Sequence, residues 1–114
     1  MNARDLDILE HIANYCNEIT SALQRFGDDL DSFLADKDYQ AAVSMRLLNI
    51  GELAKGLSKE FKDETSSRIP WAQVSGLRDR TAHGYSSLRF EDIFITAKDD
   101  IPVLAAFCKE QIKE

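Results

Sequence analysis

The sequence predicts an all-α fold, an up-and-down bundle of four to five helices. Apolar residues recur every three or four positions over long stretches, the period of an amphipathic helix. Nowhere do apolar and polar residues alternate as in a half-buried strand. Nor does any internal repeat or low-complexity tract suggest a solenoid or a long linker.

The first helix carries Leu9, Ile12, Cys16, Ile19, Leu23 and Phe26 on a narrow seam and ends near Gly27. Asp28 to Asp36 is acidic and turn-like, with Phe33 and Leu34 anchoring a short helical turn. A second helix starts at about Lys37 with Asp36 as N-cap. Its apolar line is Tyr39, Val43, Leu47, Ile50, Ala54, Leu57 and Phe61, and Lys62 to Ser67 breaks the pattern. Arg46 falls near the apolar side of this helix, where an unpaired charge is costly, so it should pair with a carboxylate or line a groove.

Pro70 suits the first turn of a third helix, from Trp71 to about His83, with Gly84 as a left-handed stop. Gly76 inside it costs about 1 kcal/mol relative to alanine, which close approach of another helix would justify. A fourth helix runs from about Phe90 to the C-terminus, with Ile93, Ala97, Ile101, Leu104, Cys108 and Ile112 on one side. Pro102 should kink or interrupt it.

The 114 residues fit one domain, 1–114, and their 44% hydrophobic and 30% charged content is that of a soluble globular protein. No apolar run approaches the roughly 20 residues that span a bilayer, and MNARDLDILE does not read as a signal peptide, so the expected location is the cytoplasm. Cys16 and Cys108 sit inside helical patterns without metal-like spacing and read as buried, reduced thiols. Net charge is −6, which argues against indiscriminate nucleic-acid binding. Its distribution is uneven: residues 66–90 hold Arg68, Arg78, Arg80 and Arg89 against Asp79 alone, a local +3, and the remainder of the chain carries −9. All four bases are arginines, the side chain shaped to grip phosphate bidentately.

Residues 78–85 read RDRTAHGY, and Arg78, Asp79, Arg80, His83 and Tyr85 can each carry charge or move a proton. RNA is cut without a metal when a base removes the 2′-hydroxyl proton, an acid protonates the leaving 5′-oxygen, and cations stabilise the phosphate. Arg78 supplies a clamp and His83 a proton carrier. Asp79, four residues before His83, is placed to orient its ring. Arg78 and His83 nevertheless lie roughly 140° apart on an ideal helix. They meet on one phosphate only if the helix unwinds near Gly84, if Arg78 reaches across, or if they come from two subunits. The other histidine, His11, lies on the first helix, so a two-fold dimer pairing two octapeptides best supplies both an acid and a base.

The pattern IPW at 69–71 followed by GLRDRTAHGY at 76–85 resembles the HEPN superfamily, whose hallmark is Arg-x(4–6)-His. It looks closest to the HepT-like toxins with Arg-x4-His-x-Tyr, here Arg78, His83 and Tyr85. NIGELAKGLS, residues 49–58, also looks like the second helix of that family, and the likeness covers nearly the whole chain. The resemblance implies a homodimeric, metal-independent endoribonuclease, the toxin of a type VII-like toxin–antitoxin pair, cutting RNA such as tRNA or mRNA by 2′-hydroxyl attack. Arg78 and His83 would be catalytic, with Asp79 and Arg80 in support. A minimal nucleotidyltransferase antitoxin of the MntA type would neutralise it by adding AMP to Tyr85. Neither a cofactor, a metal, DNA nor a membrane enters this reading. The alternative is a non-catalytic nucleotide-binding adaptor that partners a nucleotidyltransferase, in which the arginines hold phosphate and His83 is structural.

Overall fold

A computed structural model describes residues 1–87 and 89–113 of the chain. The first helix, α1 (Ala3–Phe26), buries the predicted seam, with Leu9, Ile12, Cys16 and Ile19 fully enclosed. Asn2 caps it, its side-chain oxygen accepting from the Asp5 amide at 2.7 Å. Gly27 ends it at φ 111°, a region that side chains avoid, and donates its amide to the Leu23 carbonyl at 3.1 Å. The 24 residues of α1, about 36 Å at 1.5 Å per residue, set most of the 42 Å long axis.

The acidic stretch folds into a short helix, α2 (Leu30–Ala35), capped by Asp29. Phe33 anchors it as expected, fully buried against Tyr39 and Phe94 at 4.8 and 5.4 Å between ring centroids. Leu34, given the same role by the sequence, is 48% exposed. Helix α3 (Lys37–Lys55) starts at the predicted cap, Asp36, whose carboxylate accepts from the Asp38 and Tyr39 amides. Arg46 finds a carboxylate, 3.0 Å from Glu18 on α1, and does not line the groove described below.

The second helix does not run on to Phe61. It stops at Lys55, and α4 (Lys59–Thr65) follows a turn through Gly56, Leu57 and Ser58. The cause lies on α1. Asp5 is 1% exposed and accepts from both the amide and the hydroxyl of Ser58, at 2.8 and 2.6 Å. A buried carboxylate needs donors, and only a broken helix frees this amide. The Ser58 hydroxyl in turn accepts from the Phe61 amide and caps α4.

The third helix is also two, α5 (Trp71–Ser75) and α6 (Leu77–Ser86), joined at Gly76. Pro70 stands just before α5 and not in its first turn, its carbonyl accepting from the Val74 amide at 3.1 Å. Gly84 does not stop α6. The helix passes through it, and the Ser87 and Arg89 amides donate to the His83 and Gly84 carbonyls at 2.9 and 2.7 Å. The close approach expected at Gly76 occurs at Gly51 instead. A Cβ on Gly51 would stand 2.4 Å from the Arg78 backbone nitrogen, whereas at Gly76 it would first meet carbonyls of its own segment.

The fourth stretch comprises α7 (Phe90–Ile95), a π-helical turn (Thr96–Asp100) and α8 (Ile101–Ile112). Pro102 lacks an amide hydrogen and its ring crowds the carbonyl four residues back. The turn widens ahead of it, the Ile101 amide bonding to the Thr96 carbonyl five residues earlier, and Pro102 then falls in the first turn of α8. Helix α3 is central, with α1 on one side and α5 and α6 on another, while α8 covers α1 and α7 bridges α2 and α6. The all-α bundle is as predicted, with no strand among the described residues. No described helix is long and apolar enough to cross a membrane.

Candidate active site

Helix α6 carries the octapeptide, and its first turn is seated directly on α3. No side chain intervenes at Gly51, so the backbone of Arg78 lies against the α3 backbone. The Arg78 guanidinium sits between two carboxylates. Its Nε is 3.3 Å from Oε1 of Glu52 on α3, and its Nη1 donates to Oδ1 of Asp79 at 3.1 Å. Glu52 Oε1 also accepts from Lys55 Nζ at 3.1 Å. Asp79 therefore partners Arg78, and no described bond joins it to the His83 ring. The adjacent guanidinium offers the Asp79 carboxylate a full opposite charge at hydrogen-bonding distance.

His83 faces the other flank. With Arg80, Arg89, Asp92 and Thr96 it lines a groove of about 410 Å³ between α6 and α7, floored by Ile93. Arg80 is held there by donating to the Gln73 carbonyl at 2.9 Å. Tyr85 is 40% exposed and rests edge-to-face on Phe90, 5.4 Å between centroids; its hydroxyl has no partner among the described residues. The unwinding at Gly84 that would swing Arg78 and His83 together does not occur. Within one chain the two residues stay on different flanks of α6.

The basic window thus divides. Arg68 is tied to Glu110 of α8 at 2.6 and 3.3 Å, over the Phe107 ring, and belongs to the scaffold. That hydrogen-bonded contact holds the Glu110 carboxyl below its ordinary range and raises Arg68. His11 is on α1, its ring nitrogen 2.8 Å from the Asp7 carbonyl oxygen. Sequence reasoning missed the place of Glu52 beside Arg78. Its one signal was the Gly51–Glu52 pair inside NIGELAKGLS, where a glycine marks the approach and the next residue meets what approaches.

A family model described as Ribonuclease HepT-like matches residues 8–111. The chain belongs to the ribonuclease HepT-like family. Among proteins similar to this HepT-like chain, one from Thermococcus cleftensis named "Probable ribonuclease HepT" is 34% identical over 100 residues, 86% of each chain. A candidate RNase of Caldanaerobacter subterraneus subsp. tengcongensis is 33% identical over 106 residues, 93% of this chain and 88% of that one. A candidate RNase of Methanocaldococcus jannaschii is 32% identical over 111 residues, 95% and 84% of the two chains. No solved structure matches the chain. In this HepT-like chain the motif residues Arg78, His83 and Tyr85 all lie on α6 with exposed side chains.

Proposed function

We propose that the protein is a metal-independent endoribonuclease whose site is completed by a second copy of the chain, residues 1–114 acting as one HEPN-like domain. The observation that carries this is the division of α6, with Arg78 on the α3 flank and His83 on the α7 flank of a helix that does not unwind. Two such helices related by a two-fold axis bring two histidines and two arginines to one phosphate. His83 of one subunit takes the 2′-hydroxyl proton, and the 2′-oxygen attacks phosphorus. The 5′-oxygen leaves with a proton from His83 of the partner subunit, while Arg78, with Arg80 in support, balances charge on the phosphate. The role of Asp79 is to orient Arg78 and not His83. The family likeness further supports a toxin role in the cytoplasm, with a minimal nucleotidyltransferase adding AMP to the exposed Tyr85. An added phosphate two residues from His83 would block the groove and offset its arginines.

The test is purified protein and total RNA in EDTA. The products expected are a 2′,3′-cyclic phosphate (or the monophosphate it hydrolyses to) and a 5′-hydroxyl. Arg78→Ala and His83→Ala should each reduce cleavage by at least about 100-fold with the helical circular dichroism unchanged. A 5′-phosphate product, or activity lost in EDTA, overturns the mechanism. Mass spectrometry after co-expression with the nucleotidyltransferase should find AMP on Tyr85 and none on Tyr85→Phe.

A second reading has one observation in its favour. Arg80, His83 and Arg89 line one groove within a single chain, which suits a nucleotide phosphate without any cleavage. Nucleotide binding that survives in a protein inactive on RNA would favour that adaptor role.

A further inference from the structure

Glu52 lies on a different helix from the motif, 26 residues before Arg78, yet it meets the guanidinium that the proposed chemistry sets on the phosphate. The contact alone is weak: the Arg78 and Glu52 side chains are 52% and 55% exposed, and such pairs contribute little in water. Three features make it more than a chance surface pair. Glu52 follows Gly51, where α6 and α3 touch backbone to backbone, so the base of the Arg78 side chain is fixed relative to α3. Oε1 of Glu52 is itself held by Lys55 at 3.1 Å, one turn along the same helix. Asp79 takes the guanidinium from another side through Nη1. A guanidinium has five N–H donors, so these two contacts leave others to face a phosphate.

We infer that Glu52 is a positioning residue: with Gly51 docking the Arg78 backbone, it sets the direction in which the Arg78 guanidinium meets the scissile phosphate. The inference rests on the ribonuclease reading above. A flexible arginine loses entropy each time it engages a phosphate, and a carboxylate that restrains it beforehand removes part of that cost from the transition state. Glu52 touches neither the phosphate nor the proton path. Its removal therefore slows turnover more than it weakens RNA binding.

The experiment uses the full-length protein and its Glu52→Ala and Glu52→Gln variants, with two readouts. Steady-state RNA cleavage should show kcat lowered about 10- to 100-fold in Glu52→Ala with KM within about twofold. Glu52→Gln, which keeps an acceptor oxygen, should recover part of that loss. Nitrogen-15 relaxation at Arg78 Nε should show a restrained side chain in the parent protein and a mobile one in Glu52→Ala. Unchanged kcat in Glu52→Ala, or faster cleavage because a competing anion is gone, overturns the positioning role and leaves the ribonuclease reading intact. A parent protein that cuts no RNA overturns the ribonuclease reading. Relaxation then still decides whether Glu52 restrains Arg78, and equal mobility in both proteins overturns the inference.

Discussion

At the scale of single residues, burial governs two thiols and one phenol of the core. Removal from water pushes the Cys16 and Cys108 thiols up to about 12 from 9.0, each thiol having no access to solvent. Burial, with Asp28 and Asp29 adding to it, likewise raises Tyr39 to about 12 from 10.0, and its hydroxyl donates to the Gly27 carbonyl at the end of α1. In each case the folded value lies above the unfolded one, so folding favours the protonated form. The stability this contributes is complete below about pH 9 and is lost as the pH climbs towards 12. Urea midpoints should therefore fall steadily from about pH 9 upward, and a flat profile across that window would contradict the assignment. Both thiols should also resist alkylation near neutral pH until the protein is unfolded.

At the scale of elements, two glycines that look alike in sequence should behave oppositely. A methyl at Gly51 would press on the Arg78 backbone, which cannot rotate aside, so Gly51→Ala should cost about 1–3 kcal/mol and shift α6. A methyl at Gly84 would stand 3.5 Å from Ile93, an ordinary contact inside a helix, so Gly84→Ala should gain up to about 1 kcal/mol. Denaturant titration of the pair checks both signs. The same contrast explains what could be read beforehand. The seam of α1, the Asp36 cap and the Gly27 stop are local signals, and each held. The break before α4 was hidden because Leu57 and Phe61 keep the apolar spacing across it, while its cause, Asp5, lies about fifty residues away. Gly84 reads as a stop locally, but hydrogen bonds from Ser87 and Arg89 carry the helix past it. The π-helical turn did leave a trace. From Ile93 to Ile112 the stripe takes about 19 residues for five turns, one more than α-helical winding needs. In the candidate site, Arg78, His83 and Tyr85 were legible as a short motif; Glu52 beside Arg78 was not, because only folding brings α3 to α6.

At the scale of the whole molecule, a chain of net charge −6 gathers Arg78, Arg80 and Arg89 around one helix, so attraction to an RNA backbone is local and opposed by the rest of the surface. Cleavage should decline with added salt, since screening weakens the local attraction. If two copies build the site, light scattering at micromolar concentration should give twice the 12.9 kDa chain mass, and activity per chain should fall on dilution below the dimer's dissociation constant. A monomer with undiminished activity per chain would refute the shared site. The turn at Thr96–Asp100 bears on chain length as well. It holds a surplus residue ahead of Pro102, and losing one residue there would let α7 and α8 join as a continuous α-helix. The apolar stripe from Ile93 to Ile112 would then take about 18 residues for five turns, which is α-helical winding, and would stay on one face. Leu104, Phe107 and Cys108 would keep their places in the core, but Pro102 would stand inside an α-helix with its ring against the carbonyl four residues back. The surplus residue is therefore room made for a ring and not a spacer that sets the register: the wide turn and the proline belong together, and losing either alone leaves the other without its reason.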